Sequence, residues 1–122
     1  MNNEDVRIYC ISKPGVTESF PFDDVTLVFK VMNKMFALLS IDSPQIRVNL
    51  KCGPDEAIDL RERYTGVLPG YHMNKQLWNT VVVDGSFTSA EFLQWIDNSY
   101  DLIVASLPKK RKEELKNLQW KP

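Results

Sequence analysis

Side chains able to bind or react are densest between Pro69 and Val81 in this chain of 122 residues. The segment holds the only histidine and one of the three tryptophans, and its candidate binding residues are His72, Asn74, Lys75, Trp78 and Asn79. Imidazole, amide and ammonium groups can hydrogen-bond to phosphate or base edges, and an indole ring can stack on a planar ligand. The alternative is structural, with the aromatic residues in the core and the polar groups satisfying a buried bend.

Sequence signals of the common enzyme and metal sites are missing from this chain. It has no glycine-rich phosphate loop and no GxSxG, HExxH or CxxC pattern. One histidine and two distant cysteines, Cys10 and Cys52, cannot supply a usual zinc site. Cys52 alternates with core residues of a strand, which favours a buried structural thiol over a nucleophile paired with His72. We therefore expect a non-enzymatic protein with no cofactor and no metal.

Composition indicates one ordinary globular domain over residues 1–122. The 43% hydrophobic content is enough for a core without disulfides, and 15 basic against 16 acidic residues give a net charge of −1. Binding to nucleic acid therefore requires a local positive patch. The polar N-terminus and the short apolar run from Met35 to Leu39 predict neither a secretory signal nor a membrane span. With no secretory signal and only two cysteines, we expect reduced thiols and a cytoplasmic location. We also expect no membrane partner and favour a monomer.

Three helices are predicted from their start and stop signals. The first has an asparagine cap at position 2 or 3 and ends before Pro14-Gly15, and the second runs from Pro54 towards Gly66, with Arg61 on a solvated face. The third begins at a capping box, Thr88 to Glu91, and runs to about Leu107 as the main core helix. Between the second and third helices, Pro69-Gly70 predicts a turn and residues 78–83 a strand.

An antiparallel meander of three strands is predicted at 26–32, 35–41 and 46–52, after a loop at 16–24. Within that loop, Phe20-Pro21-Phe22 is expected to plug the edge of the core. The register places Leu39, Ile41, Ile46, Val48 and Leu50 on the core face, and the opposite face then gathers Phe29, Phe36, Leu38, Arg47, Asn49 and Lys51. Aromatic rings beside basic groups on an open face would suit base stacking with phosphate contact. Alternatively, a helix covers Phe29 and Phe36.

The C-terminal residues 108–122 predict a basic helix or tail. Its four consecutive cations, Lys109, Lys110, Arg111 and Lys112, are the densest positive charge in the chain. Such a run is usually a solvated face. Here the remaining sequence is net acidic, so the run would also stand out as a positive patch.

Several blocks of sequence resemble one protein family, the MmcQ/YjbR family. They are FPFDDVTLVFKVMNKMFALL (20–39), NLKC.P (49–54), PGYHMNK..WNTV (69–81), DGS (84–86) and SYDLIVASLPKK (99–110). The resemblance covers nearly the whole chain in the same order. It implies a small α+β domain with an antiparallel sheet packed on helices, a sandwich similar to the CyaY (frataxin) fold with a "double wing" shape. It also implies a cytoplasmic, bacterial, DNA-binding protein, and it brings no catalytic residues.

The sequence therefore favours a nucleic-acid-binding module, most simply one that binds DNA. His72, Asn74 and Lys75 would contact phosphates or base edges, Arg47 and Lys51 would add contacts from the sheet, and the cations at 109–112 would add non-specific attraction. One alternative is a small-molecule or peptide pocket built from Tyr71, His72, Lys75, Trp78 and Asn79. Another is a protein-interaction adaptor that uses the open sheet face.

Overall fold

The fold is organised around one sheet of six strands, which a computed structural model describes together with four helices over residues 1–119. In chain order the elements are α1 (Asn3–Ile11), β1 (Val16–Ser19), β2 (Thr26–Val31), β3 (Lys34–Ser40), β4 (Arg47–Lys51), α2 (Pro54–Arg63), β5 (Val67–Pro69), β6 (Trp78–Val82), α3 (Ser89–Ala105) and α4 (Lys109–Gln119). The strand order is β1-β2-β3-β4-β6-β5, and all neighbours are antiparallel. This confirms the predicted α+β class with an antiparallel sheet. None of the described helices has the length and apolar character needed to cross a membrane.

Local signals start the helices where the sequence predicts. At α1, the Asn2 side chain accepts a hydrogen bond from the Asp5 N–H, and the Asp5 carboxylate accepts one from the Asn2 N–H, both at 2.9 Å. Thr88 and Glu91 make the same reciprocal pair of bonds at the start of α3. Each capping box satisfies backbone donors that the first turn of a helix leaves unpaired. The second predicted helix is also present as α2, with Pro54 in its first turn.

The helices pack on one face of the sheet, here called the helix side. The core between the sheet, α1 and α3 contains Val6, Cys10, Leu27, Phe29, Val31, Leu39, Val48, Leu50, Val81, Phe92, Ile96 and Ile103. Leu115 of α4 reaches the same core, and α2 packs beside it through Ala57 and Leu60. The opposite face is here called the open side. Its small apolar cluster of Val28, Leu38 and Trp78 packs only against neighbouring strand and loop residues within 1–119.

The expected placement of two aromatic residues on the open side is wrong. Phe29 and Phe36 are fully buried on the helix side, which agrees with the alternative that a helix covers them. The pairing of β2 with β3 shifts after Phe29, so Phe36 is the extra residue of a β-bulge in β3. The bulge turns Phe36 to the helix side, where its ring meets Tyr100 edge-on with 5.4 Å between centroids. Arg47 and Asn49 do lie towards the open side, where they line a groove described below.

Both edge strands escape the sequence analysis. Residues 16–19, expected within a loop, form β1 and pair with β2. Arg7 of α1 holds this strand through a two-pronged ion pair with Glu18, at 2.7 and 2.9 Å. At the other edge, β5 has only three residues. Gly66 precedes it, and a Cβ atom there would lie 2.2 Å from the Val82 carbonyl oxygen, so only glycine fits this close approach.

Ser99 joins α3 to the sheet at the point where the β3–β4 ladder stops. The ladder pairs Ala37 with Leu50, so Phe36 and Lys51 would form the next pair if it continued. Instead, the buried Ser99 hydroxyl donates to the Phe36 carbonyl at 2.6 Å and accepts from the Lys51 N–H at 2.9 Å. One side chain therefore satisfies two backbone groups that the bulge separates.

Replacing Ser99 with alanine is expected to lower the free energy of unfolding by about 1–3 kcal/mol, because both backbone groups lose this partner inside the protein. Ser89, exposed in the first turn of the same helix, provides the matched control, and Ser89→Ala should change stability by less than about 0.5 kcal/mol. Urea denaturation followed by tryptophan fluorescence measures both variants. Unchanged stability of Ser99→Ala would mean that the bridge does not hold the helix on the sheet.

Candidate ligand-binding groove

A groove of about 690 Å³ crosses the open side of the sheet. Its floor includes Leu38 of β3 and Asn49 of β4, which are paired neighbours. Phe22, in the loop between β1 and β2, lines one side, and the loop between β5 and β6 supplies Tyr71, His72 and Met73. In the strand order, β3 and β4 lie between β2 and β6. The two loops therefore stand on opposite sides of the floor.

The loop that carries Tyr71 is tied to the sheet by a closed set of hydrogen bonds. The Tyr71 N–H donates to the Thr80 hydroxyl at 2.9 Å, and that hydroxyl donates to the Asn49 side-chain oxygen at 2.5 Å. The Asn49 amide nitrogen in turn donates to the Tyr71 carbonyl at 3.2 Å. Asn49 and Thr80 face each other across β4 and β6. The sheet thus fixes the backbone that presents the Tyr71 ring.

The far end of the same loop is held by α2. Arg61, expected on a solvated face, instead donates from Nε to the Asn79 side-chain oxygen at 2.8 Å and from Nη2 to the Lys75 carbonyl. Asn79 also donates to the Ala57 carbonyl of α2 at 3.3 Å. The expectation for Arg61 is therefore wrong. The sequence reveals only a helical arginine, and the contact depends on how α2 lies beside β6.

The five candidate binding residues between 69 and 81 fall into three groups by exposure and contacts. His72 is exposed and lines the groove. Trp78 and Asn79 are buried, with only 9% and 2% of their surface exposed. Asn74 and Lys75 are exposed but serve the loop: the Asn74 side-chain oxygen accepts from the Gln76 N–H at 2.9 Å, and the Lys75 ammonium donates to the Gly70 carbonyl at 3.1 Å.

Arg47 is the basic residue of β4 that reaches the groove. Its guanidinium carbon lies 5.8 Å from the centre of the Tyr71 ring, and the Tyr71 and His72 ring centres are 4.0 Å apart. Arg47 is partly buried and makes no ion pair or side-chain hydrogen bond with any residue from 1 to 118. Lys51 stands at the other end of β4, opposite Trp78, and does not line the groove.

The cations at 109–112 lie away from the groove. They form the first turn of α4, whose Leu115 is buried in the core on the helix side. Lys109, Lys110 and Arg111 are exposed, Lys112 is partly buried, and Arg111 pairs with Glu114 at 3.1 Å. These charges therefore do not converge with Arg47 and His72 on one surface.

Acidic groups share the groove with Arg47. Asp23 and Asp42 both line it. The Asp23 carboxylate accepts hydrogen bonds from the backbone N–H groups of Val25 and Thr26, at 3.0 and 2.7 Å, and these bonds lower the pKa of Asp23. The carboxylate is thus ionised at neutral pH. The groove has mixed charge rather than the uniform positive charge that a phosphate backbone requires.

The two thiols are unsuited to nucleophilic chemistry. Burial raises the pKa of Cys10 to about 12 and the pKa of Cys52 to about 11, so both remain protonated at neutral pH. Within the part of the chain that the structure describes, no three histidine, cysteine, aspartate or glutamate side chains gather closely enough to hold a metal ion. The groove offers contact surface and charge rather than a reactive pair.

Phe22 forms one wall of the groove, and the sequence alone does not show this. This residue was expected to plug the core edge together with Phe20, and that expectation is wrong: Phe20 is 46% exposed and Phe22 is 65% exposed. Two aromatic residues around a proline are the same pattern whether the loop turns inwards or outwards. In the folded chain, Asp23 closes the turn before β2 through its bonds to Val25 and Thr26, and both rings lie outside the core.

Removing the Arg61 contacts should loosen the loop between β5 and β6. In Arg61→Gln we expect backbone amides in residues 71–77 to exchange at least about tenfold faster, since hydrogen bonds to a charged group contribute about 1.5–3 kcal/mol. Arg63→Gln is the control, because Arg63 pairs with the exposed Asp59 on the same helix. Hydrogen–deuterium exchange measures both. Equal exchange rates in the two variants would contradict the role assigned to Arg61.

Sequence relatives match along nearly the whole chain. The sequence model of the YjbR family matches residues 11–102. The Escherichia coli K12 protein YjbR is 34% identical over 118 residues, which is 97% of this chain and 100% of that protein. The protein YbdF of Escherichia coli O157:H7 is 29% identical over 114 residues, which is 93% of each chain.

Two bacterial proteins with solved structures have the same fold. A Deinococcus radiodurans protein with a DUF419 domain is 36% identical, with a TM-score of 0.89, over 94% of this chain and 88% of that one. A Pseudomonas syringae protein is 28% identical, with a TM-score of 0.71, over 84% of this chain and 98% of that one. On the family match and the identity to the Escherichia coli protein, this chain belongs to the YjbR family, as its sequence blocks predict.

Proposed function

We propose that this protein is a non-enzymatic binding module whose ligand occupies the groove on the open side. The observation that carries the proposal is the groove itself: its volume of about 690 Å³ lies within the roughly 300–1,000 Å³ of typical ligand sites. Its floor is apolar around Leu38, and a few polar groups enter from the walls. A small molecule or a short peptide segment fits a site of this size and composition.

Two exposed aromatic residues support this use of the groove. Phe22 is 65% exposed and Tyr71 is 60% exposed, and they stand on opposite sides of the floor. Large exposed apolar side chains around a concave surface often mark a binding site. The hydrogen bonds that fix Tyr71 to Asn49 and Thr80 hold one wall in place before any ligand arrives. Less ordering free energy is then lost on binding.

Titration with a library of small aromatic and aliphatic fragments tests the groove. Backbone NMR shifts should change at Tyr71, His72 and Met73, and Phe22→Ala should weaken fragment binding by at least about threefold, because one apolar wall is lost. Phe20→Ala is the matched control, since Phe20 is exposed in the same loop but does not line the groove. The proposal fails if fragments bind elsewhere, if none binds, or if the two variants behave alike.

Nucleic acid is the second candidate ligand, and the four cations at the start of α4 support it. No acidic residue lies in that first turn, although the positive end of a helix dipole disfavours cations there. Such charges cost stability unless an anion neutralises them. A phosphate backbone would do so without any contribution from the groove.

Fluorescence anisotropy with duplex and single-stranded DNA across a salt series tests this second candidate. Replacing Lys109, Lys110 and Lys112 by glutamine should weaken binding and reduce the salt slope by about 2–3 units, roughly one for each phosphate that is no longer neutralised. The control replaces Lys30, Lys34 and Arg63 by glutamine as well, which changes the net charge by the same amount at positions outside α4. Binding no tighter than that of an acidic control protein at low salt, or equal losses in both triple variants, would exclude the α4 surface as a DNA site.

We also propose a frataxin-like fold, a cytoplasmic location and a monomeric state. One antiparallel sheet with helices on a single face supports the first. Two buried and unpaired thiols, Cys10 and Cys52, support the second, because thiols persist in reducing compartments. The main core closes within one chain, which supports the third.

A further inference from the structure

We infer that the ligand of the groove combines a planar aromatic ring with a single anionic group, either a carboxylate or a phosphate. The inference rests on the proposed binding function of the groove and specifies the chemistry of its ligand. Three features support it: a cation with no ion-pair partner among the described residues, a pair of rings beside that cation, and carboxylates that disfavour several anionic groups.

Arg47 supplies the cation. It is partly buried at the groove wall beside the Tyr71 ring, and within residues 1–118 no side chain makes an ion pair or a hydrogen bond with it. A guanidinium group removed in part from water gains most from an anion that accepts two parallel hydrogen bonds. Carboxylates and phosphates have this geometry. The groove therefore contains an unused binding element for one such group.

Tyr71 and His72 supply the surface for the ring. Their ring centres are 4.0 Å apart, and Tyr71 lies next to the Arg47 guanidinium at 5.8 Å. Phe22 stands across the floor, near β2. The strands β2 and β6 are three inter-strand spacings apart, about 14 Å. The groove is therefore wide enough for a ring between its walls. Because Arg47 lies beside Tyr71, a ligand ring stacked on Tyr71 can place an attached anionic group near Arg47.

His72 has a left-handed backbone conformation at the third position of the turn that the Met73 N–H closes with the Gly70 carbonyl, at 3.3 Å. Its φ angle is +58°, a left-handed conformation that costs a residue with a Cβ atom about 1–2 kcal/mol. Its side chain is exposed in the groove. Glycine would adopt this backbone more easily. Strained residues of this kind cluster at binding sites, and here the strain holds an imidazole ring beside Tyr71.

Asp23 and Asp42 limit the charge of the ligand. Both line the groove, and Asp23 is held in its ionised form by backbone hydrogen bonds. Arg47 is the one lysine or arginine among the described residues that line the groove, and the two carboxylates repel a ligand with several anionic groups. A polyphosphate or a nucleic-acid strand is therefore disfavoured, while an aromatic molecule with one anionic group remains compatible with the groove.

Isothermal titration calorimetry with matched probe pairs tests the inference. Indole-3-acetate is compared with indole-3-acetamide, and AMP with adenosine, so that the two arms separate a carboxylate source from a phosphate source. In at least one arm, the anion should bind about tenfold or more tightly than its neutral partner, and ATP should bind no more tightly than AMP. Arg47→Gln should abolish the preference for the anion. Arg63→Gln should retain it, because Arg63 also lies near a tyrosine ring, at 5.3 Å from Tyr64, but outside the groove.

His72→Gly separates binding from folding. This variant should keep or raise the thermal unfolding midpoint, because the strain is relieved, and should still lose at least about threefold in affinity for the preferred anion. Equal binding of charged and neutral probes, absence of binding by all probes, or a preference that survives Arg47→Gln would overturn the inference. If fragments still perturb Tyr71 and Met73 in that case, the groove remains a binding site and only the assigned chemistry fails.

Discussion

The arrangement of α3 on the sheet depends on two hydrogen bonds of the Ser99 hydroxyl. This hydroxyl lies between a carbonyl of β3 and an N–H of β4, at the position where the two strands would otherwise bond to each other. The Phe36 carbonyl and the Lys51 N–H, which the bulge keeps from bonding to each other, thereby both have a hydrogen-bond partner. Because Ser99 belongs to α3, the same contact sets the position of the main core helix along the strands.

The bulge also decides which side of the sheet has large aromatic residues. With Phe36 turned to the helix side, the core gains a second phenylalanine ring beside Phe29, and the Phe36 ring also meets Tyr100. The floor of the groove keeps smaller residues such as Leu38 and Asn49. Because the floor side chains are small and a loop stands on each side of them, a groove forms. The packing of one face therefore shapes the groove on the other.

Elements with local signals could be predicted from the sequence, and those that depend on distant contacts could not. The caps at Asn2 and Thr88 lie within four residues of the groups they satisfy, so both helix starts were visible. The bulge was not, because it requires Ser99, which lies 63 residues from Phe36 in the chain. The groove follows the same rule. The sequence indicates His72 and Arg47 as candidate binding residues, but the position of Phe22 beside them depends on how distant strands pack.

The two outer strands have a consequence for the behaviour of this protein in a crowded solution. The edge strands of a sheet have unpaired N–H and C=O groups, and strands from other molecules can pair with them and start polymerisation. Here one edge, β1, has four residues and includes Glu18, which α1 holds through Arg7. The other edge, β5, has three residues and ends in Pro69, which lacks an N–H group. Neither edge therefore offers a long template for fibril growth, even though one face of the sheet has no helices packed on it.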